Sequence, residues 1–167
     1  MNIKGIVAAA VVLAVVVSAF GAAATPAVWV AKESINPLDG STTVELGLRS
    51  ETRADPSSER VALALECRSG VTRVRLDWDV LLDDLSERVT TREGKGSARA
   101  FYWPTTEGRD QSMYPTDHVD FIRRLMLVDT FVAEVVPESG ITVTAIFDVT
   151  GLKDAIGPLA DACKWSP

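Results

Sequence analysis

Four stretches of this chain alternate apolar and polar residues with a period of two. Val44, Leu46 and Leu48 are separated by Glu45, Gly47 and Arg49; Val61, Leu63, Leu65 and Cys67 by Ala62, Ala64 and Glu66; Val74, Leu76 and Trp78 by Arg75 and Asp77. Ile141, Val143, Ala145, Phe147 and Val149 alternate with Thr142, Thr144 and Asp148, with Ile146 the exception. Successive strand side chains point to opposite faces, so this pattern predicts strands with one buried face. Weaker strands are expected near Arg88 to Arg92, Ser97 to Trp103 and Thr130 to Val136. Gly-, Asp-, Ser- and Pro-rich connections at Leu38–Ser41, Arg68–Gly70, Glu93–Gly96 and Pro137–Gly140 are hairpin turns. Sequential strands joined by short turns imply antiparallel pairing.

Two segments have helical spacing instead. Thr116-Asp117 can cap a helix over Val119 to Val128, with Val119, Ile122, Leu125 and Met126 as its apolar stripe. Leu152, Ala155, Ile156, Leu159 and Cys163 share one face of a second helix over Leu152 to Lys164. Pro158 has no N–H for the helical ladder, so a kink or two short helices is expected there. The expectation is an α+β fold: an antiparallel sheet or sandwich of about seven strands, two helices packed on it, and one domain over 25–167.

The first residues are of another kind. Lys4 is followed by the apolar run Ile6 to Val17 and by the small residues Ala22-Ala23-Ala24. A positive start, an apolar core and an A-x-A end describe a secretory signal peptide over 1–24, cleaved after Ala24, with Ala27 the alternative. The competing reading is an uncleaved anchor, since Ile6 to Ala24 approaches the roughly 20 residues that span a bilayer. Export places the domain in the periplasm or outside the cell. There the only two cysteines, Cys67 and Cys163, are expected to pair and pin the last helix onto the sheet, with two free buried thiols as the alternative.

The net charge is −6, and losing the single charge of Lys4 with the signal lowers it by one, to −7. An acidic chain lacks the basic footprint of a nucleic-acid binder. It has little attraction for anionic lipid, so contact with a membrane is expected only through an uncleaved signal.

Few constellations suggest chemistry. The single histidine, His118, beside Asp117 and Asp120, could be a general base or metal ligand; alternatively it is an exposed residue in a capping turn. One His supplies one of the three or four ligands a metal site needs. Asp77, Asp79, Asp83 and Asp84 surround Trp78 without the glycine-containing spacing of a calcium loop, and read as a solvated acidic edge. No nucleophile elbow or phosphate-cradling loop occurs. The expectation is a protein without catalytic residues, metal or cofactor. Phe101, Tyr102, Trp103 and Tyr114 are the one aromatic concentration. They are the candidate partner-contact patch, with packing within the fold as the alternative.

The order of these pieces resembles the VasI/TagO-type proteins associated with bacterial type VI secretion gene clusters. Asn36-Pro37-Leu38-Asp39-Gly40-Ser41-Thr42-Thr43-Val44 is similar to the family's SPLDDSKTV, and Cys67 with Val74-Arg75-Leu76-Asp77-Trp78 to its CxxxxTxLYIxW. Phe121-Ile122-Arg123-Arg124-Leu125 is similar to FIxxL. The run Ala145-Ile146-Phe147-Asp148-Val149-Thr150-Gly151-Leu152, with Ala155-Ile156, Pro158-Leu159 and Ala162-Cys163-Lys164-Trp165, is similar to AxFDLxGLxxAIxPLxxACxW. Glu138-Ser139-Gly140 and the segment Thr105 to Tyr114 depart from the pattern. The resemblance implies an exported accessory protein whose partner is a component or effector of a secretion apparatus in the cell envelope. Two other functions fit the compartment: a cell-wall-directed protein (lysozyme inhibitor or peptidoglycan-active enzyme), and a structural envelope protein.

Overall fold

A computed structural model describes residues 28–53, 60–83 and 85–167; the signal segment and its cleavage site lie outside the described residues. Among the described residues, nine strands form two antiparallel sheets. The first has the order β1 (Val30–Ile35), β2 (Thr42–Arg53), β3 (Arg60–Arg68), β4 (Val71–Asp77), β7 (Gln111–Met113). The second has the order β6 (Arg99–Pro104), β5 (Ser86–Glu93), β8 (Thr130–Val135), β9 (Val143–Asp148). The α+β expectation holds, with two more strands than the sequence indicated. β1 was missed because all six of its residues are exposed, so it carries no amphipathic alternation. β7 is three residues long and too short to show a period.

The four alternating stretches supply much of the core. Leu46, Leu63, Leu65, Val74, Leu76 and Trp78 face Val89, Phe131, Ala133, Val143, Ala145 and Phe147 across the sandwich, and all are essentially fully buried. The hairpin turns lie where their residues predicted. Ser69 and Gly70 both take positive φ (50° and 75°), the geometry of a two-residue hairpin loop, and Gly supplies the second position without steric cost. The ninth strand begins at Val143 instead of Ile141.

The sandwich is joined at both sides. At one, Thr105 beyond β6 bridges Ser112 of β7. At the other, an irregularity between Arg49 and Arg53 bends β2 toward β9. There the Thr52 hydroxyl donates to the Thr144 carbonyl (2.8 Å) and accepts from the Ile146 N–H (3.3 Å). β1 hangs outside this closed wall, paired among the described residues with β2 alone.

Helix α1 (His118–Leu125) is capped by Asp117, whose carboxylate accepts the Asp120 N–H at 3.0 Å, and buries Phe121, Ile122 and Leu125. It ends three residues before the expected Val128. The last helical segment divides as Pro158 required: α2 (Leu152–Ala155) and α3 (Gly157–Cys163) share Ile156 as their boundary. Pro158 falls in the first turn of α3, where its missing N–H has no helical partner to lose. Cys67 of β3 and Cys163 of α3 are joined as a disulfide with Cα atoms 5.7 Å apart, which fastens α3 to the first sheet.

Candidate functional site

The four aromatics proposed as one patch are divided by the fold. Trp103 is 0% exposed, and its ring stands edge-on to Tyr114 at 5.2 Å. Tyr114 stacks on Phe121 at 4.2 Å, Phe121 meets Phe131, and Phe131 stacks on Phe147. This aromatic chain runs through the core, so Trp103 is a packing residue and not a contact residue. The reason is strand alternation: Trp103 faces inward where β6 still lies over the core. Tyr114 is half-buried and lines a groove. Phe101 (45% exposed) and Tyr102 (67% exposed) remain at the surface, on opposite faces of β6.

The groove, of 330 Å³, lies under the inward face of the β5–β6 hairpin where it extends past the core. Thr91, Glu93, Arg99 and Phe101 line one side, Tyr114 and Arg124 of α1 the other. Arg124 is fixed in place. Its guanidinium donates to Glu93 (2.9 Å), Asp120 (3.1 Å) and the Tyr114 hydroxyl (3.0 Å). Arg99 stands at the groove with no ion-pair partner among the described residues.

The rest of the hairpin is also basic. Arg88 and Arg92 share the outer face of β5 with Thr90, next to Tyr102 in the β5–β6 register, and Lys95 lies in the turn. Sequence reasoning centred on aromatics and missed these cations. Their signal was present: Arg88, Arg92, Lys95 and Arg99 fall close together, with Glu93 among them, in a chain of net charge −6. Glu87 was missed too. It is 3% exposed on the inward face of β5, opposite Trp103 in the register. Burial pushes its carboxyl above the usual carboxylate range, against the pull of the Arg88 N–H (2.9 Å). The buried indole Nε1 of Trp103 has no hydrogen-bond partner among the described residues.

His118 is half-buried, contrary to the exposed residue expected. Its Nδ1 accepts the Val74 N–H at 3.2 Å, while the Val74 carbonyl accepts the Tyr114 N–H at 2.9 Å. The imidazole therefore continues the β4 ladder where β7 has ended. Burial, then the charge of Arg73, depresses its pKa. The acidic residues around Trp78 do not converge either. Asp77 pairs with Arg75 at 3.0 Å, Asp79 occupies a turn with φ 59°, the Asp83 carbonyl accepts the Thr105 hydroxyl, and Asp84 lies outside the described residues. Among the described residues, no group of three or more His, Cys, Asp or Glu is placed to hold a metal ion. Among the same residues, no helix is long and apolar enough to cross a membrane.

Compared with models of known protein families, with curated proteins and with solved structures, the chain matches none. The hairpin with its groove is thus the candidate site on its own geometry: two exposed aromatics, cations without an ion-pair partner among the described residues, and a sheet edge suited to holding another molecule.

Proposed function

We propose that this chain is an exported, non-catalytic binding protein of the cell envelope that serves as an accessory component of type VI secretion. The observation that carries the binding reading is the β6 edge, where exposed Phe101 and Tyr102 sit among cations that have no ion-pair partner among the described residues. Aromatic and Arg side chains dominate the energetics of protein contacts, and monomeric surfaces rarely group them without a partner. The Cys67–Cys163 disulfide supports export, since such bonds persist in oxidising compartments. The ordered resemblance to VasI/TagO-type proteins supports the link to secretion.

The test is a capture experiment with residues 25–167, disulfide intact, against periplasmic extract from a bacterium with an active type VI system. Recovery of an apparatus component or effector is expected, together with reduced secretion when the gene is deleted. Recovery of lysozyme-like proteins or peptidoglycan alone would replace this reading with the cell-wall one.

A further inference from the structure

The partner's chemistry can be read from three features of the β5–β6 hairpin. The first is charge. Arg88, Arg92, Lys95 and Arg99 have no ion-pair partner among the described residues; of the nearby acids, Glu93 is held by Arg124, Glu87 is buried, and Glu134, opposite Thr90, accepts the Thr144 hydroxyl. In a chain of net charge −6, this hairpin presents surplus positive charge to solvent.

The second feature is the backbone. Among the described residues β6 pairs as a strand with β5 alone, and only beyond its end does Thr105 bridge Ser112 of β7. The Thr105 N–H donates to the Leu85 carbonyl (3.1 Å), which sets the phase of the ladder. In that phase, alternation turns the N–H and C=O of Ala100 and Tyr102 outward, away from β5. Pro104 has no N–H to offer and ends this open edge.

The third feature is two-sidedness. Phe101 and Arg99 face the groove, while Tyr102, Arg88 and Arg92 occupy the outer face. A flat anionic membrane would reach one face only. A polysaccharide has no amide ladder to complete the edge. A second β6 would set like charges against each other. An extended polypeptide satisfies all three, because its backbone pairs with the edge and its side chains alternate between both faces.

We infer that β6 accepts an extended acidic polypeptide segment as an added strand, an inference that rests on the binding-protein reading above. Residues of the segment on one face enter the groove beside Phe101 and Arg99. Those on the other meet Tyr102 and Arg88.

The probe is a fluorescently labelled, end-blocked octapeptide of alternating Glu and Val, read by polarisation against the disulfide-intact domain and by amide hydrogen exchange. Binding is expected, with slowed exchange at Ala100 and Tyr102. Charge reversal in Arg88→Glu/Arg99→Glu should weaken it about tenfold with the melting temperature little changed. The same peptide with Lys for Glu, or with a central Pro, should not bind. Failure of the Glu–Val peptide to bind would overturn the inference. So would equal binding of the Pro-interrupted peptide, which would mean charge attraction without strand addition, or tighter binding to phosphatidylglycerol vesicles. The two readings fail separately. If the wild-type and Arg88→Glu/Arg99→Glu domains capture the same secretion component from periplasm, the accessory function stands and this site does not.

Discussion

Two charged surfaces of this protein treat their arginines in opposite ways. On the outer face of the first sheet, Arg75 lies between carboxylates of three strands: Glu45 at 3.0 Å, Glu66 at 2.9 Å and Asp77 at 3.0 Å, with Arg73 beside Glu66. Every guanidinium nitrogen of Arg75 faces an acid, and its side chain is only 19% exposed. On the β5–β6 hairpin, four cations extend into solvent without such partners among the described residues. The first surface spends its charge on joining strands; the second leaves it available. Counting charged residues would not separate them, since both are rich in arginine. What separates them is whether opposite charges lie on adjacent strands, on the same face and in register.

The largest effect should come from cutting the crosslink on the first sheet. The disulfide closes a loop with sequence separation 96. Its loss in Cys67→Ser/Cys163→Ser should cost about 4 kcal/mol of unfolding free energy, measured by urea denaturation. A loss below about 1 kcal/mol would mean that α3 is held by packing alone.

Next comes the arginine contrast itself. Arg75→Met leaves three carboxylates facing one another, and should destabilise by about 2 kcal/mol, less than a fully buried pair because water reaches the cluster. The deficit should shrink in acid, where protonation relieves the repulsion. Replacing Arg88, Arg92, Lys95 and Arg99 singly with Gln should change stability by no more than about 0.5 kcal/mol each. Equal losses at the two surfaces would show that the hairpin cations stabilise the fold and are not kept for a partner.

How much of this was legible beforehand follows from the same physics. The β2, β3, β4 and β9 strands, the turns, the Pro158 break and the cysteine pairing were readable, because each rests on a local pattern. β1 was not, since an edge strand exposed on both faces has no period to display. Phe101, Tyr102 and Trp103 are adjacent in sequence, yet only the reach of the core along β6 decides which is buried. The groove was beyond local reasoning. Arg124 and Glu93 meet across 31 positions, and nothing near either residue names the other.

His118 gives a smaller effect, with a defined sign. Its imidazole titrates below the ordinary 6.5 because burial and Arg73 disfavour the charged form. A depressed folded-state value gives stability that is present above the unfolded pKa and lost as the pH falls through the folded one. The wild type should therefore lose about 1 kcal/mol more than His118→Gln on acidification from neutral pH to 5, because Gln can still accept the Val74 N–H without titrating. Parallel curves for the two proteins would mean that the folded imidazole takes up its proton as readily as the unfolded one.

The smallest effect sharpens the comparison at two acids. Asp77 and Glu87 are both pushed upward by burial, but Asp77 has Arg75 against it and Glu87 has only backbone N–H groups. A carboxyl raised in the folded state favours folding below its unfolded value and loses that contribution as the pH rises through the folded one. At neutral pH, the Glu87 charge is therefore a burden that no cation offsets. Glu87→Gln should raise the melting temperature slightly at pH 7, and the gain should vanish near pH 4, where the native carboxyl is itself protonated. Asp77→Asn should raise it less at pH 7, because Arg75 already offsets part of the burial cost of that charge. If Glu87→Gln instead lowers it, the hydrogen bond from the Arg88 N–H outweighs burial, and the inner side of the hairpin is organised by its charge.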